Sequence, residues 1–113
     1  MSMETTVINL SDSRPVRIKL ADWPRVVDVA NDTDHNNQEL NRRHYIRVHQ
    51  HADGRAIVYG WRESSWQGEH GVEAGYRCDQ SDVPEKINQV GEAISAPTWL
   101  IQEAISDLPP QDI

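Results

Sequence analysis

The sequence predicts an α+β domain: an antiparallel β-sheet of about four to five strands with two C-terminal amphipathic helices packed on one face. Two observations predict this class. β-branched and aromatic runs of alternating polarity recur through the first two thirds of the 113 residues, and the last third changes to helical spacing. Within the strand-like part, an Asp53-Gly54 turn separates two such runs, which is the strongest short-range signal of a β-hairpin. Strands followed by helices indicate an antiparallel sheet with a helical cover.

The N-terminal part predicts three short strands. Residues 1–5 are expected to be frayed, and residues 7–10 to form an edge strand. Residues 16–20 alternate apolar and basic side chains, as in a half-buried strand, and the β-branched run Arg25–Ala30 predicts the next strand. The asparagine-rich residues 31–43 have no periodicity and predict a long surface loop.

The central hairpin, residues 44–61, allows two registers, and only one can be native because a one-residue slip exchanges which faces meet. A two-residue Asp53-Gly54 turn places Ile46 opposite Trp61. This register buries more large apolar area, at about 25 cal/mol per Å², and is therefore preferred. A three-residue loop that includes Ala52 instead gathers on one face a set of side chains that needs cover from the N-terminal strands or a partner: Tyr45, Arg47, His49, Ile57, Tyr59 and Trp61.

The C-terminal part predicts a loop centred on Trp66, a third meander strand over residues 72–78, and two helices. Asp82 and Glu85 have the spacing of a capping box at the first helix, and Ser95 is the expected cap of the second. We expect one domain over residues 1–113. Its predicted core lies on the matching faces of sheet and helices: Ile46, Val48, Val58, Tyr76, Ile87, Val90, Ile94, Ile101 and Leu108.

The net charge of −7 is concentrated at the C-terminal end, where residues 78–113 hold seven acidic side chains and Lys86 as their one basic residue. This balance disfavours non-specific binding to nucleic acid or anionic lipid. Cys78 is the only cysteine, so no internal disulfide can form. No signal peptide and no membrane-spanning stretch is visible, and a cytoplasmic location is the expectation.

A zinc site is one candidate chemistry. His49 and His51 lie two apart on a strand and so share a face, and His35, His44, His70 or Cys78 could complete a ligand set. The sequence has no Cys-x-x-Cys or His-Glu-x-x-His motif to accompany them. We therefore predict no bound metal and purification without stoichiometric zinc.

Nucleophilic catalysis is a second candidate. Ser64 or Ser65 could be combined with His70 and Glu69, but no Gly-x-Ser-x-Gly elbow is present. Cys78 has the setting of a small buried side chain. No glycine-rich loop that could hold a phosphate is visible, so the sequence predicts neither an enzyme nor a cofactor.

Protein binding is the preferred interpretation, because Trp, Tyr and Arg are enriched at interaction hot spots. The predicted partner-binding residues are Trp61, Arg62 and Trp66 together with acidic positions of the two helices: Asp82, Glu85, Glu92, Glu103 and Asp107. Trp66 could equally cap one end of the core. The alternatives are a single-stranded nucleic-acid binder that uses a Tyr/Trp/Arg sheet surface, and a small metal-dependent enzyme. Homo-oligomerisation stays open.

Residues 51–55 and 57–60 (HADGR and IVYG), with Asp22-Trp23-Pro24 upstream, resemble a group of small uncharacterised proteins of bacterial plasmids and integrative elements. The resemblance covers about the middle half of the chain and carries no catalytic residues. It implies a context in which accessory proteins bind and block a host component, such as restriction or CRISPR machinery. The expectation that follows is an inhibitor or decoy of a host nucleic-acid-processing complex.

Overall fold

The computed structural model describes residues 4–31, 42–64, 68 and 70–110, and these residues form an α+β fold, as predicted. Their elements, in chain order, are β1 (Thr5–Ile8), β2 (Val16–Lys19), β3 (Arg25–Ala30), β4 (Arg42–Gln50), β5 (Arg55–Ser64), β6 (Val72–Asp79), a 3₁₀ turn (Gln80–Asp82), α1 (Val83–Ala93) and α2 (Thr98–Ser106). Strands β3-β4-β5-β6 form an antiparallel sheet in that order, and β1 and β2 form a separate hairpin. No helix of the described residues is long and apolar enough to cross a membrane.

The central hairpin adopts the three-residue loop, so the preferred two-residue turn was wrong. Val48 pairs with Val58, and Tyr45 pairs with Trp61. The amide of Gly54 donates to the carbonyl of His51 (3.1 Å), and Gly54 has a φ of +97°, which favours glycine. The Asp53 carboxylate accepts from the amide of Arg55 at 3.0 Å. Local hydrogen bonds of the loop therefore select the register that places the aromatic side chains together.

The inner face of the sheet packs against α1 and α2 and holds the main core. Ile46, Val48 and Val58 of the sheet and Ile87, Val90 and Ile94 of the helical segment are fully buried, as predicted. Ile101 is also buried, whereas Tyr76 and Leu108 lie half-buried at the edge of this core. Gly60, at the centre of the inner face, lets α1 approach, because a Cβ there would lie 2.8 Å from Val90.

The outer face of the sheet is covered in part by the β1–β2 hairpin. Ile8 and Ile18 of the hairpin pack on Ile57 in a second, smaller cluster, with Tyr59 partly buried against it. The amide of Ser11 donates to the carbonyl of Gly75, and the Ser11 hydroxyl accepts from the Gly75 amide. The N-terminal strands thus supply the cover that the observed register requires over one part of this face.

Both helix caps differ from the prediction. The Asp82 side chain makes no capping hydrogen bond, because the 3₁₀ turn leads straight into α1 and leaves Asp82 near φ −97° and ψ 0° rather than in extended backbone. Ser95 does not cap α2, which begins after Pro97. Ser95 instead has a φ of 57° and ends α1, where its amide donates to Glu92 and the Ala96 amide to Gly91, as in a Schellman motif.

Some predicted features lie partly or wholly outside the described residues. Thr5 is the first residue of β1, while residues 1–3 lie outside the described ranges. Arg42 and Arg43 belong to β4 rather than to the predicted loop, of which residues 32–41 lie outside as well. Trp66 and the centre of its predicted loop are likewise outside.

Candidate interaction surface

Four aromatic rings form a continuous stack on the outer face. The rings of Tyr45 and Trp61 are 4.7 Å apart at an interplanar angle of 12°. Trp61 and Tyr59 are 6.0 Å apart, and Tyr59 and His49 are 5.6 Å apart, both nearly parallel. The stack follows from the register, because directly opposed and diagonal side chains on one face of an antiparallel pair lie within reach of each other.

The buried end of this stack is held by hydrogen bonds. His49 is fully buried, its Nδ1 lies 2.8 Å from the Trp23 carbonyl, and its Nε2 lies 3.3 Å from the Tyr59 hydroxyl. Since a carbonyl can only accept, Nδ1 carries the proton and the neutral ring accepts from Tyr59 through Nε2. Burial lowers the pKa of His49 below 6.5 and keeps the ring neutral. Both ring nitrogens therefore bond to protein groups.

The other end of the stack reaches solvent. Tyr45, Tyr59 and Trp61 are half-buried, and so is Arg47, whose guanidinium lies 4.9 Å from the centre of the Trp61 ring. We call these four residues the aromatic surface. Tyr59 adjoins the cluster in which the β1–β2 hairpin packs on Ile57, and the other three residues lie outside that cluster.

Carboxylates surround this surface and limit its positive charge. Asp28 accepts from Arg47 Nε at 3.1 Å. Burial alone would lower the pKa of Arg47, but its hydrogen bonds with Tyr59 and Asp28 outweigh burial and raise the pKa above its ordinary value. Glu63 accepts from the Trp61 indole at 3.4 Å, and Glu73 lies opposite Trp61 in the β5–β6 register. The aromatic surface thus combines half-buried rings with a guanidinium that is already paired.

The structure does not gather the predicted partner-binding residues into one patch. Trp61 belongs to the aromatic surface, but Arg62 follows it in the strand and points to the inner face, because successive strand residues alternate. The acidic residues lie exposed on the helical side of the sheet, and we call them the acidic helix surface: Asp82, Glu85, Glu92, Glu103 and Asp107. Trp66 lies outside the described residues.

A second buried histidine, His44, lies on the inner face near the start of β4. The side-chain oxygen Oδ1 of Asn31 accepts from the backbone amide of His44 at 2.6 Å, and the side-chain Nδ2 of Asn31 donates to His44 Nδ1 at 3.1 Å. Burial, followed by the charges of Arg62 and Arg42, lowers the pKa of His44. From the sequence, Asn31 is only the first residue of a predicted loop. Its side chain holds β3 to β4, and this role could not be predicted because it depends on the burial of Asn31 in the folded chain.

The candidate metal ligands that the structure describes, which do not include His35, are not assembled into a site. Within the described ranges, no three His, Cys, Asp or Glu side chains lie close enough to hold a metal ion. His51 lies beside Asp53 in the hairpin loop, at 3.0 Å. Burial raises the pKa of Cys78 to about 11, so its thiol is protonated at neutral pH. Ser65 and Glu69 fall outside the described residues.

Sequence reasoning missed Trp99. This indole lies at the start of α2 and is 53% exposed. The helical spacing contained the signal, since Trp99 falls off the stripe formed by Ile101, Ala104 and Ile105.

No protein-family model matches the chain, and neither the curated proteins nor the solved structures show a significant similarity to it. Its function must therefore be argued from the surfaces themselves.

Proposed function

We propose that this chain is a non-enzymatic protein-interaction domain that recognises its partner through the aromatic surface. The observation that carries the proposal is Trp61, half-buried between Tyr45 and Arg47 on the part of the sheet that the β1–β2 hairpin leaves open. Trp, Tyr and Arg are the residue types that contribute most at protein interfaces. Because stacking already orders these side chains, little conformational entropy is lost when a partner binds.

Three features favour a protein partner over single-stranded nucleic acid. A base stacks on an exposed ring face, but the Trp61 ring stacks on Tyr45 and Tyr59 and lies under Arg47. Arg47 is paired with Asp28, so it has less charge to offer a phosphate. The net charge of −7 repels a polyanion.

The acidic helix surface suggests which partner is bound. On this proposal the domain acts as an inhibitor or decoy of a nucleic-acid-processing complex: the aromatic surface makes the contact, and the acidic helix surface, on the opposite side of the sheet, adds only a long-range attraction to the basic groove of that complex. The two helices supply the charge as exposed carboxylates, with Lys86 as the single base within α1 and α2. The resemblance of the central segment to proteins of plasmids and integrative elements supports a bacterial, cytoplasmic setting for such a role.

The test compares two tryptophans on opposite sides of the sheet. The tagged chain captures its partner from its native host, mass spectrometry identifies the partner, and the purified pair is titrated. Trp61→Ala should weaken binding by about 2 kcal/mol or more, roughly thirtyfold, because it removes the centre of the aromatic surface. Trp99→Ala removes an equally large side chain from the helical side and should leave affinity nearly unchanged.

Other outcomes would replace the proposal. Equal affinities of the wild type and Trp61→Ala would exclude the aromatic surface, and a loss confined to Trp99→Ala would move recognition to the helices. Titration of a labelled single-stranded oligonucleotide tests the main alternative. Salt-dependent binding that Trp61→Ala abolishes would favour the nucleic-acid binder instead.

A further inference from the structure

A cleft of about 650 Å³ opens where β2 meets the ends of β5 and β6 and the start of α1. Val16, Ile18 and Ile57 form an apolar wall, and Trp23 lies at one end. This volume is in the range that holds small organic molecules. The cleft is separate from the aromatic surface, since the two have no lining residue in common.

Basic side chains dominate the charge of this cleft. Four of the chain's eleven Lys and Arg residues line it, against two carboxylates, Asp79 and Asp82. This excess is unusual in a chain whose net charge is −7. The formal charge of the lining is therefore positive, opposite in sign to that of the whole molecule, and favours an anion.

Two of these basic residues are available to a ligand. Neither Arg17, on β2, nor Arg77, on β6, has an ion pair with a described residue. Arg55, which also lines the cleft, is by contrast paired with Asp53 at 2.7 Å and lies over the Trp23 ring. Arginine binds carboxylate or phosphate in a bidentate manner, so Arg17 and Arg77 provide donors that no group of the described chain uses.

We propose that this cleft binds a small organic anion, with its carboxylate or phosphate at Arg17 and Arg77 and its apolar body along Val16. The charged and apolar parts of such a ligand match the two parts of the lining. This inference goes beyond the proposed function and does not depend on it.

The test uses anilinonaphthalene sulfonate, a fluorescent anion with an apolar body, titrated into the folded protein at neutral pH. Arg77→Gln and Arg17→Gln should each weaken binding roughly tenfold, because each removes a charge-assisted hydrogen bond. Arg14→Gln is the matched control, since Arg14 is exposed in the β1–β2 turn and does not line the cleft. It should bind the probe as the wild type does. Circular dichroism confirms that each variant is folded.

Amide chemical shifts locate the probe. Changes should cluster on β2 and on the last residues of β6, and changes centred on Tyr45 and Trp61 would overturn the proposal. Equal affinities of the three arginine variants, or the absence of saturable binding, would overturn it as well. Competition by decanoate or by adenosine monophosphate then shows whether the preferred anion is a carboxylate or a phosphate. None of these outcomes changes the partner titration of Trp61→Ala, so the two proposals fail independently.

Discussion

The two faces of the four-stranded sheet differ in how completely they are covered. On the inner face, α1 and α2 bury the larger cluster, which includes side chains from all four strands and both helices. On the outer face, the β1–β2 hairpin buries Ile57 against Ile8 and Ile18 and leaves the aromatic surface half-exposed. The inner face thus contributes most of the buried core, and the outer face holds the surface through which we propose recognition.

The largest expected difference between the faces is in the stability lost when a buried isoleucine is truncated to alanine. Ile87→Ala should lower the free energy of unfolding by about 4 kcal/mol, because Ile87 is fully buried among side chains of sheet and helix that cannot close the cavity. Ile18→Ala should cost about 2 kcal/mol, since Ile18 lies in a small cluster with partly exposed neighbours that can collapse. Denaturant titrations measure both values. Equal costs would mean that the hairpin is as integral to the core as α1.

A smaller loss of stability is expected from a substitution where the β1–β2 hairpin meets the sheet. A Cβ at Gly75 would lie 2.6 Å from the Asn9 carbonyl oxygen and 3.2 Å from Tyr59 Cβ. Gly75→Ala should therefore lift the hairpin and cost about 1–2 kcal/mol, as overpacked sites do. Hydrogen exchange should show the loss of protection in β1 and β2 while α1 stays protected. The same substitution at Gly60 is the control: a Cβ there would lie 2.5 Å from the Tyr45 carbonyl oxygen and 2.8 Å from Val90, so it should loosen the β4–β5 pairing and the helices and leave the β1–β2 hairpin in place.

Most secondary structure could be predicted from the sequence, because alternation and helical spacing are local signals. Arg25–Ala30 was predicted with the bounds that β3 has, and the apolar stripe of α1 is buried as predicted. The preferred register of the central hairpin is wrong because the apolar area buried within the hairpin does not by itself decide the register. The cover that β1 and β2 provide over Ile57 and Tyr59 is a tertiary contact and has no local signature.

The candidate surface was harder to predict for the same reason. Tyr45 and Trp61 become neighbours only in the observed register. Arg62 is different, because strand alternation alone places it on the opposite face from Trp61 and could be read from the sequence. Asp82 and Ser95 show a second limit, since residue types that favour a cap do not determine which turn precedes the helix. The exposed Trp99 could have been found by placing α2 on a helical wheel.

Each face contains one buried histidine whose pKa is lowered, which predicts a pH dependence common to both. His44 and His49 are held neutral in the fold chiefly by burial, whereas in the unfolded chain they take up protons as the pH falls below the ordinary value of 6.5. The unfolded state then binds more protons, so stability is fully present above that pH and declines as the pH falls from about 7 to about 5. Titrations at several pH values measure the slope.

His44→Gln and His49→Gln separate the two contributions to this pH dependence. Each should flatten the slope in part, whatever it does to stability at neutral pH, because each removes one group that is protonated on unfolding. Unchanged slopes in both variants would show that carboxylates, rather than these histidines, govern the acid side of the stability curve.

The smallest expected effect is a gain in stability from a substitution at the end of α1. Ser95 has a φ of 57° at the end of α1, a conformation that is strained for residues with a side chain. Ser95→Gly should raise the free energy of unfolding by about 0.5–1 kcal/mol, because glycine adopts the left-handed conformation without strain and keeps both Schellman hydrogen bonds. Ser95→Ala is the control and should show no gain, since alanine has the same steric conflict.

Hydrogen exchange on Ser95→Gly then tests whether the covers of the two faces unfold together. If the helices and the sheet unfold as one unit while the hairpin opens locally, the amides of α1 and β5 gain protection and those of β1 and β2 do not. An equal gain of protection in all of these amides would show that the helices, the sheet and the β1–β2 hairpin unfold in a single cooperative step. The aromatic surface would then depend on the whole fold for its rigidity, and the hairpin could not open without disturbing it.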